Sequence, residues 1–304
     1  MNEIQAMRVY VRVVEAGTLT RAADSLGLLK SNVSKHIQAL EARLHARLLN
    51  RSTRRVTVTA EGAAYYDRAA RLLDEFDDIE ASMTRTRLEP SGRLRLDVGS
   101  SIAKRIIVPA LCGFCERYPD IRIDLGISDA PVDLRSDDVD CVIRSGEITD
   151  DSLVARRIGD MPWMTVASPD YIRRYGVPHH PSDIAQRHLM VGFFVGNTRR
   201  LAPHRFYRDG ESIEMSEPCR VAVNDRTAHT AGVVAGFGLS QVPACMAEPL
   251  IERGELVQIL RDWTREPLPL HAVYLPNRHL SAKVRAFVDW AVELFSAHPQ
   301  SNIA

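Results

Sequence analysis

The most reactive side chains in the sequence are five cysteines, at positions 112, 115, 141, 219 and 245. Cys112 and Cys115 have the C-x-x-C spacing of a redox pair. However, no Cys or His stands at metal-ligand spacing from them, and they share a helical segment with the apolar face of Leu111 and Phe114. Core packing is therefore the expectation. An odd, scattered set of thiols is the usage of a reducing compartment rather than a disulfide framework. "GFG" at 236–238 lacks the third glycine of a dinucleotide fingerprint and reads as a helix C-terminus. His179 and His180 stand between prolines and read as a surface loop. The chain has no G-x-S-x-G, H-E-x-x-H or P-loop, so no catalytic constellation, metal site or cofactor is expected. An enzyme acting through Ser100 or Ser101 would lack a recognisable base partner.

Binding chemistry is more promising, because charge is unevenly placed. The net charge of zero hides ten Lys/Arg and four acids in residues 1–60, giving +6 there and −6 in the remainder. A basic head on an acidic body implies that only the head meets a polyanion. At 304 residues the chain needs two or more cores, and 45% hydrophobic with 26% charged residues is ordinary for a globular protein. No apolar run reaches the length of a membrane span, and the start carries acids without a signal-peptide core, so a cytoplasmic location is expected.

Three segments of different period must position these groups. In the first, Met7, Val11 and Val14 mark a helix face that Gly17 stops. Thr18 caps a second helix bearing Ala22, Ala23 and Leu26, which Gly27 ends. Val33, Ile37, Leu40 and Leu44 then form one stripe of a third helix. Two short helices joined by a tight Gly-containing turn form a helix-turn-helix. "RRVTVT" follows as a β-branched strand, making a basic hairpin or wing. In the second segment, Tyr65, Ala69, Leu72, Phe76, Ile79 and Met83 are spaced 4, 3, 4, 3 and 4. We read this as a dimer seam, in preference to a helix packed on its own domain. The third segment alternates strands ("RLRLDVG", "IRIDLGI") with helices, an α/β architecture. "RFYRDGESIEM" within it reads as a hairpin with an Asp-Gly turn.

On these residues the chain resembles LysR-type transcriptional regulators along nearly its whole length. "MRVYVRVVEAGTLTRAADSLGL" and "SNVSKHIQALEARLHARLLNRSTRRVTVTAEG" resemble the family's winged helix-turn-helix. "PALCGFCERYPDIRIDL", "AGVVAGFGLSQVPACMAEPLIERGELVQIL" and "PLPLHAVYLPNRHLSAKVRAFVDW" resemble its effector-binding domain, in order and spacing. The resemblance implies an α+β multidomain protein: a winged helix-turn-helix at 1–58, a linker and dimerisation helix at 59–88, and an effector-binding domain at 91–304. The last would comprise two periplasmic-binding-protein-like subdomains, 91–161 with 268–304 and 162–267. The implied partners are an interrupted palindrome of double-stranded DNA, a small effector, further copies in a homodimer or homotetramer, and RNA polymerase, with no membrane.

In a helix-turn-helix the third helix enters the major groove by its start. Its outward residues are Ser31, Lys35 and Gln38, with Asn32 on the flank. Lys35 could reach guanine O6/N7 and Asn32 adenine N6/N7. Thr20, Lys30 and Ser34 suit phosphate, and Arg51, Arg54 and Arg55 of the wing suit the backbone or a narrow minor groove. Many family members place Ser where this chain has Leu29. Either the helix start goes uncapped, or Ser31 caps it and it begins later, which leaves Lys30 on helix or turn. In the body, strand ends and the helix starts after them would line the effector cleft. These are Ser100, Ser101, Ser128 and Arg144 from one subdomain, and Phe193, Phe194, Asn224, Asp225 and Pro243 from the other. The hydroxyls with Arg144 point to a carboxylate-bearing effector, and the phenylalanines to an apolar or aromatic one. An architectural DNA binder with a filled, apolar cleft is the remaining alternative.

Overall fold

The structure is a computed structural model describing residues 2–51, 56–83, 90–134, 137, 139–196, 199–216, 219–276 and 280–297. The chain divides into two compact units, 1–88 and 89–304.

In the first unit, α1 (Glu3–Ala16), α2 (Leu19–Leu26) and α3 (Lys30–Leu44) precede a ribbon of β1 (Leu49–Arg51) and β2 (Val56–Val58), then α4 (Ala60–Met83). Gly17 and Gly27 end α1 and α2 with φ of 68° and 63°, a conformation that costs other residues a Cβ clash. Val33, Ile37 and Leu40 of α3 are buried against Ala6, Val9 and Val13 of α1. Each such side chain contributes roughly 1.5–3 kcal/mol on burial. Glu41 of α3 positions the ribbon, accepting hydrogen bonds from the amides of Leu48 (2.9 Å) and Leu49 (3.1 Å). Thr59 caps α4, its Oγ accepting from Gly62 N at 2.9 Å and donating to the Arg47 carbonyl at 2.6 Å.

The stripe of α4 is not one seam. Tyr65 packs edge-on against Tyr10 at 5.5 Å and Ala69 is buried with Ala70 and Leu73. Arg8 of α1 lies over Phe76 at 5.9 Å and pairs with Asp77. Leu72 and Ile79, by contrast, are 50% and 60% exposed. Tyr65 and Ala69 therefore belong to the unit's own core, correcting their place in the seam. The 4-3 spacing overlapped two neighbouring faces of one helix. The side chain of Met83 lies outside the described residues.

The second unit begins with β3 (Gly92–Val98), α5 (Ser100–Ile102), a π-helical turn at Ala103–Ile107, α6 (Val108–Arg117), β4 (Ile121–Ile127), β5 (Cys141–Ser145) and β6 (Val154–Met161). The chain then crosses into β7 (Trp163–Ala167), α7 (Pro169–Tyr175), α8 (Pro181–Arg187), β8 (Met190–Phe193), the hairpin β9 (His204–Arg208) and β10 (Glu211–Met215), and β11 (Cys219–Val223). It continues through α9 (Arg226–Val234), β12 (Ser240–Pro243), α10 (Ala244–Glu252) and β13 (Val257–Gln258), and returns with β14 (Leu268–Tyr274) and α11 (Ala282–Ala297). The first sheet runs β4-β3-β5-β14-β6, parallel among β4, β3 and β5 and antiparallel at β14. Phe114 of α6 and Phe287 and Trp290 of α11 meet beside it, with rings 5.1–5.8 Å apart. In the crossing segment, β12-β7-β13 and the parallel pair β11-β8 are linked by a Met190–Leu239 bridge.

The Asp-Gly hairpin turn is present, with Asp209 and Gly210 at φ of 51° and 85°. Two expectations are corrected. His180 is not simply in a loop: with Asp183 it forms a capping box that starts α8. Cys112 and Cys115 are exposed, while Phe114 between them is the buried residue. Periodicity placed the helix correctly but assigned the thiols to the wrong side of it. The Glu116 carboxylate beside Cys112 pushes that thiol up, away from reactive thiolate.

Candidate functional site

On α3, Lys30, Ser31, Asn32, Lys35 and Gln38 are exposed and Ser34 is half-buried; Thr20 is exposed on α2. The helix begins at Lys30, directly after Leu29, and no side chain caps it. The later start with Ser31 as cap is thus not what forms. Leu29 supplies only its carbonyl, which accepts from Asn32 N (2.8 Å) and Val33 N (3.1 Å), and its side chain is 71% exposed. The first turn of α3 consequently presents free amides beside Lys30. Arg51 closes β1, its side chain outside the described residues, as are Arg54 and Arg55 entirely.

In the second unit a cavity of about 520 Å³ opens between the five-stranded sheet and the crossing segment. Four of the nine expected effector residues line it: Ser101, Arg144, Phe193 and Pro243. The others act in the frame around it. Ser100 is buried at the start of α5 and its hydroxyl donates to Asp129 at 2.6 Å. Ser128 Oγ accepts from Ala130 N at 3.0 Å, folding its own loop. Phe194 bridges to Leu201, Asn224 is exposed, and Asp225 caps α9 by accepting from Ala228 N at 2.6 Å.

Arg144 lines the cavity, yet its guanidinium is ion-paired with Asp97 and donates to the carbonyls of Ile143 (3.0 Å) and Asp97 (3.3 Å). The charge assigned to an effector anion is already neutralised. That corrects the electrostatic part of the expectation: Asp97, from the neighbouring strand β3, is a partner that sequence spacing did not reveal.

Among the lining residues that the sequence did not point to are Asp129, Trp163 and Arg226. Asp129 accepts from Ser100 N (2.9 Å), Ser100 Oγ (2.6 Å) and Arg226 N (2.6 Å). One carboxylate from the loop after β4 thus ties together the starts of α5 and α9. Its one signal in the sequence was its place just after a strand end. Replacing Asp129 with Ala removes three charge-assisted acceptor contacts. Because water can enter the cavity, the expected loss is about 2–3 kcal/mol. It would show as a lower urea midpoint with faster hydrogen exchange at both helix starts; unchanged exchange at Arg226 would refute the tie.

Behind the cavity wall lies a buried polar network. His204 Nε2 is 2.8 Å from Ser240 Oγ, and His229 Nε2 is 3.0 Å from both Ser240 Oγ and the Val191 carbonyl. Burial pushes His204 down to about 3 and His229 down to about 4. Both rings are therefore neutral near neutral pH.

The comparisons agree with this geometry. Residues 4–63 match the family model for bacterial regulatory helix-turn-helix proteins of the lysR family, and residues 87–296 match the LysR substrate binding domain. An HTH-type transcriptional repressor of Pseudomonas aeruginosa is 37% identical over 311 aligned residues, covering 100% of this chain and 95% of that protein. The full-length structure of the Vibrio cholerae virulence activator AphB is 30% identical with a TM-score of 0.60, over 95% of this chain and 98% of that one. CrgA of Neisseria meningitidis, a LysR-type regulator, is similar at 30% identity and a TM-score of 0.60, over 95% and 97%. The chain belongs to the LysR-type transcriptional regulators, with an N-terminal DNA-binding helix-turn-helix and a C-terminal effector-binding domain. No helix among the described residues is long and apolar enough to cross a membrane.

Proposed function

We propose that the chain is a sequence-specific DNA-binding regulator that senses a small effector in the cavity of its second unit. The observation that carries this reading is the cavity itself. It is open, about 520 Å³, and walled by apolar side chains such as Met161, Trp163 and Phe193, with few polar groups among them. An architectural binder with a filled cleft would show none of these. Effector binding would favour one arrangement of the two walls, and it acts only through its differential affinity for that arrangement. Leu72 and Ile79, exposed on α4, suit burial against the same helix of a second copy, so that paired heads meet two half-sites. The chemistry supports regulation rather than turnover, since the Ser100 hydroxyl is spent on the Asp129 carboxylate and Ser101 forms part of the cavity wall.

Footprinting on the protein's own upstream region tests the reading. The expected result is salt-sensitive, palindrome-centred protection, and its absence would sink the proposal. Within such a site, Lys35→Ala is expected to weaken specific binding about 10–100-fold while affecting non-specific binding far less. Fluorescence anisotropy against matched and scrambled duplexes checks this. An equal loss on both would demote Lys35 to a phosphate contact.

A further inference from the structure

Arg226, the first residue of α9, lines the cavity with its guanidinium 3.3 Å from the centre of the Phe193 ring and 4.8 Å from that of Trp163. Arg265 lies over Trp163 as well, at 4.0 Å. Neither guanidinium forms an ion pair among the described residues. Asp129 is close to Arg226, but its oxygens are taken by two backbone amides and a hydroxyl, one of the amides being that of Arg226 itself. Glu147, the other lining carboxylate, is exposed. The buried Trp163 indole N–H also lacks an acceptor among the described residues. Two cations on one indole repel each other, and burial together with Arg265 pushes the Arg226 guanidinium down to about 9. Stacking on aromatic rings offsets only part of the cost of removing a guanidinium from water. Asp129 attracts the Arg226 guanidinium through its charge but accepts no hydrogen bond from it, so among the described residues the fork lacks an acceptor. Arg144 differs in this respect, since Asp97 satisfies it.

We propose that Arg226, held between Phe193 and Trp163 with Arg265 behind, is the anion subsite of the cavity and takes the carboxylate of a planar, aromatic acid. The guanidinium fork matches a carboxylate bidentately, and the flanking rings offer flat apolar walls to the ligand's ring. The proposal rests on the effector reading above and names its ligand class.

The test uses full-length protein and acid–amide pairs of equal shape: benzoate with benzamide, and 1-naphthoate with 1-naphthamide. Sodium sulfate and phosphate at matched ionic strength serve as inorganic anions. Binding is read by quenching of Trp fluorescence and by thermal shift. The wild type is expected to bind each acid at least about tenfold more tightly than its amide. Arg226→Gln should reduce that preference to within about twofold while still folding, since a buried charge is removed, and Arg226→Lys should restore part of it. A preference undiminished in Arg226→Gln overturns the subsite and leaves the effector reading intact. The same holds if amides bind as well as acids. Equal stabilisation by sulfate or phosphate overturns the carboxylate class. If neither acids nor amides bind, the subsite and the effector reading fall together.

Discussion

Gly62→Ala is expected to destabilise the DNA-binding unit by about 3–5 kcal/mol and to abolish specific DNA binding. Helix propensity argues the other way, since Ala in a helix is favoured over Gly by roughly 1 kcal/mol. Packing decides the sign. Gly62 lies in the first turn of α4, where the ribbon, α1 and α4 converge. A Cβ there would land on the Leu48 carbonyl oxygen, and 2.9 Å from both the Tyr10 hydroxyl and Val58 Cγ1. The Leu48 oxygen cannot retreat freely, because it accepts from Thr59 N at 3.1 Å. The Tyr10 hydroxyl donates to Gly62 O at 2.9 Å, so relief on one side breaks a buried hydrogen bond on the other. The tryptophans at 163, 263 and 290 all lie in the second unit and will not report the loss. Hydrogen exchange in peptides of α1 and α3 will. Wild-type protection there, together with wild-type anisotropy on a specific duplex, would contradict the account.

Acidification is expected to weaken the second unit steeply below about pH 6.5. His204 and His229 are held neutral, pushed down to about 3 and about 4 by burial. The unfolded chain takes up both protons near pH 6.5, whereas the folded unit does not. Each histidine therefore contributes stability that is fully present above pH 6.5 and is lost as pH falls toward its folded value. Linkage sets the loss at up to about 1.4 kcal/mol per pH unit for each, so roughly 4 kcal/mol for the pair at pH 5. The geometry explains why neither takes a proton readily. His229 Nδ1 is buried with no hydrogen-bond partner among the described residues, and Arg226 adds repulsion. Urea midpoints followed by Trp fluorescence between pH 7.5 and 5 check the slope, and His204→Gln should flatten it. A midpoint that does not change over that range would show that the rings are not held as described.

The elements of this protein were legible because their signals are local. Thr18, read as a cap from the sequence, uses a side chain that reaches only three residues along the chain. Val33, Ile37 and Leu40 mark the inward side of α3 by periodicity, and Asp209-Gly210 supplies the left-handed pair a tight hairpin needs. The same local logic misled wherever two faces share a spacing. Tyr65 and Leu72 fit one 4-3 pattern, yet the first packs on Tyr10 and the second is open. Cys112 and Cys115 flank a buried phenylalanine and are themselves exposed.

By itself the sequence determined the class of protein: a basic helix-turn-helix head, its outward polar face at Ser31, Asn32, Lys35 and Gln38, and an α/β body whose strand ends surround a cleft. Only the tertiary structure decided where charge is left over in that cleft. Arg144 looked free until β3 brought Asp97 against it. Arg226 was passed over beside Asp225, until folding set it among Phe193, Trp163 and Arg265. Periodicity reports which side of an element faces inward. Whether an inward charge meets a partner depends on chain segments tens of residues away, and no local pattern carries that information.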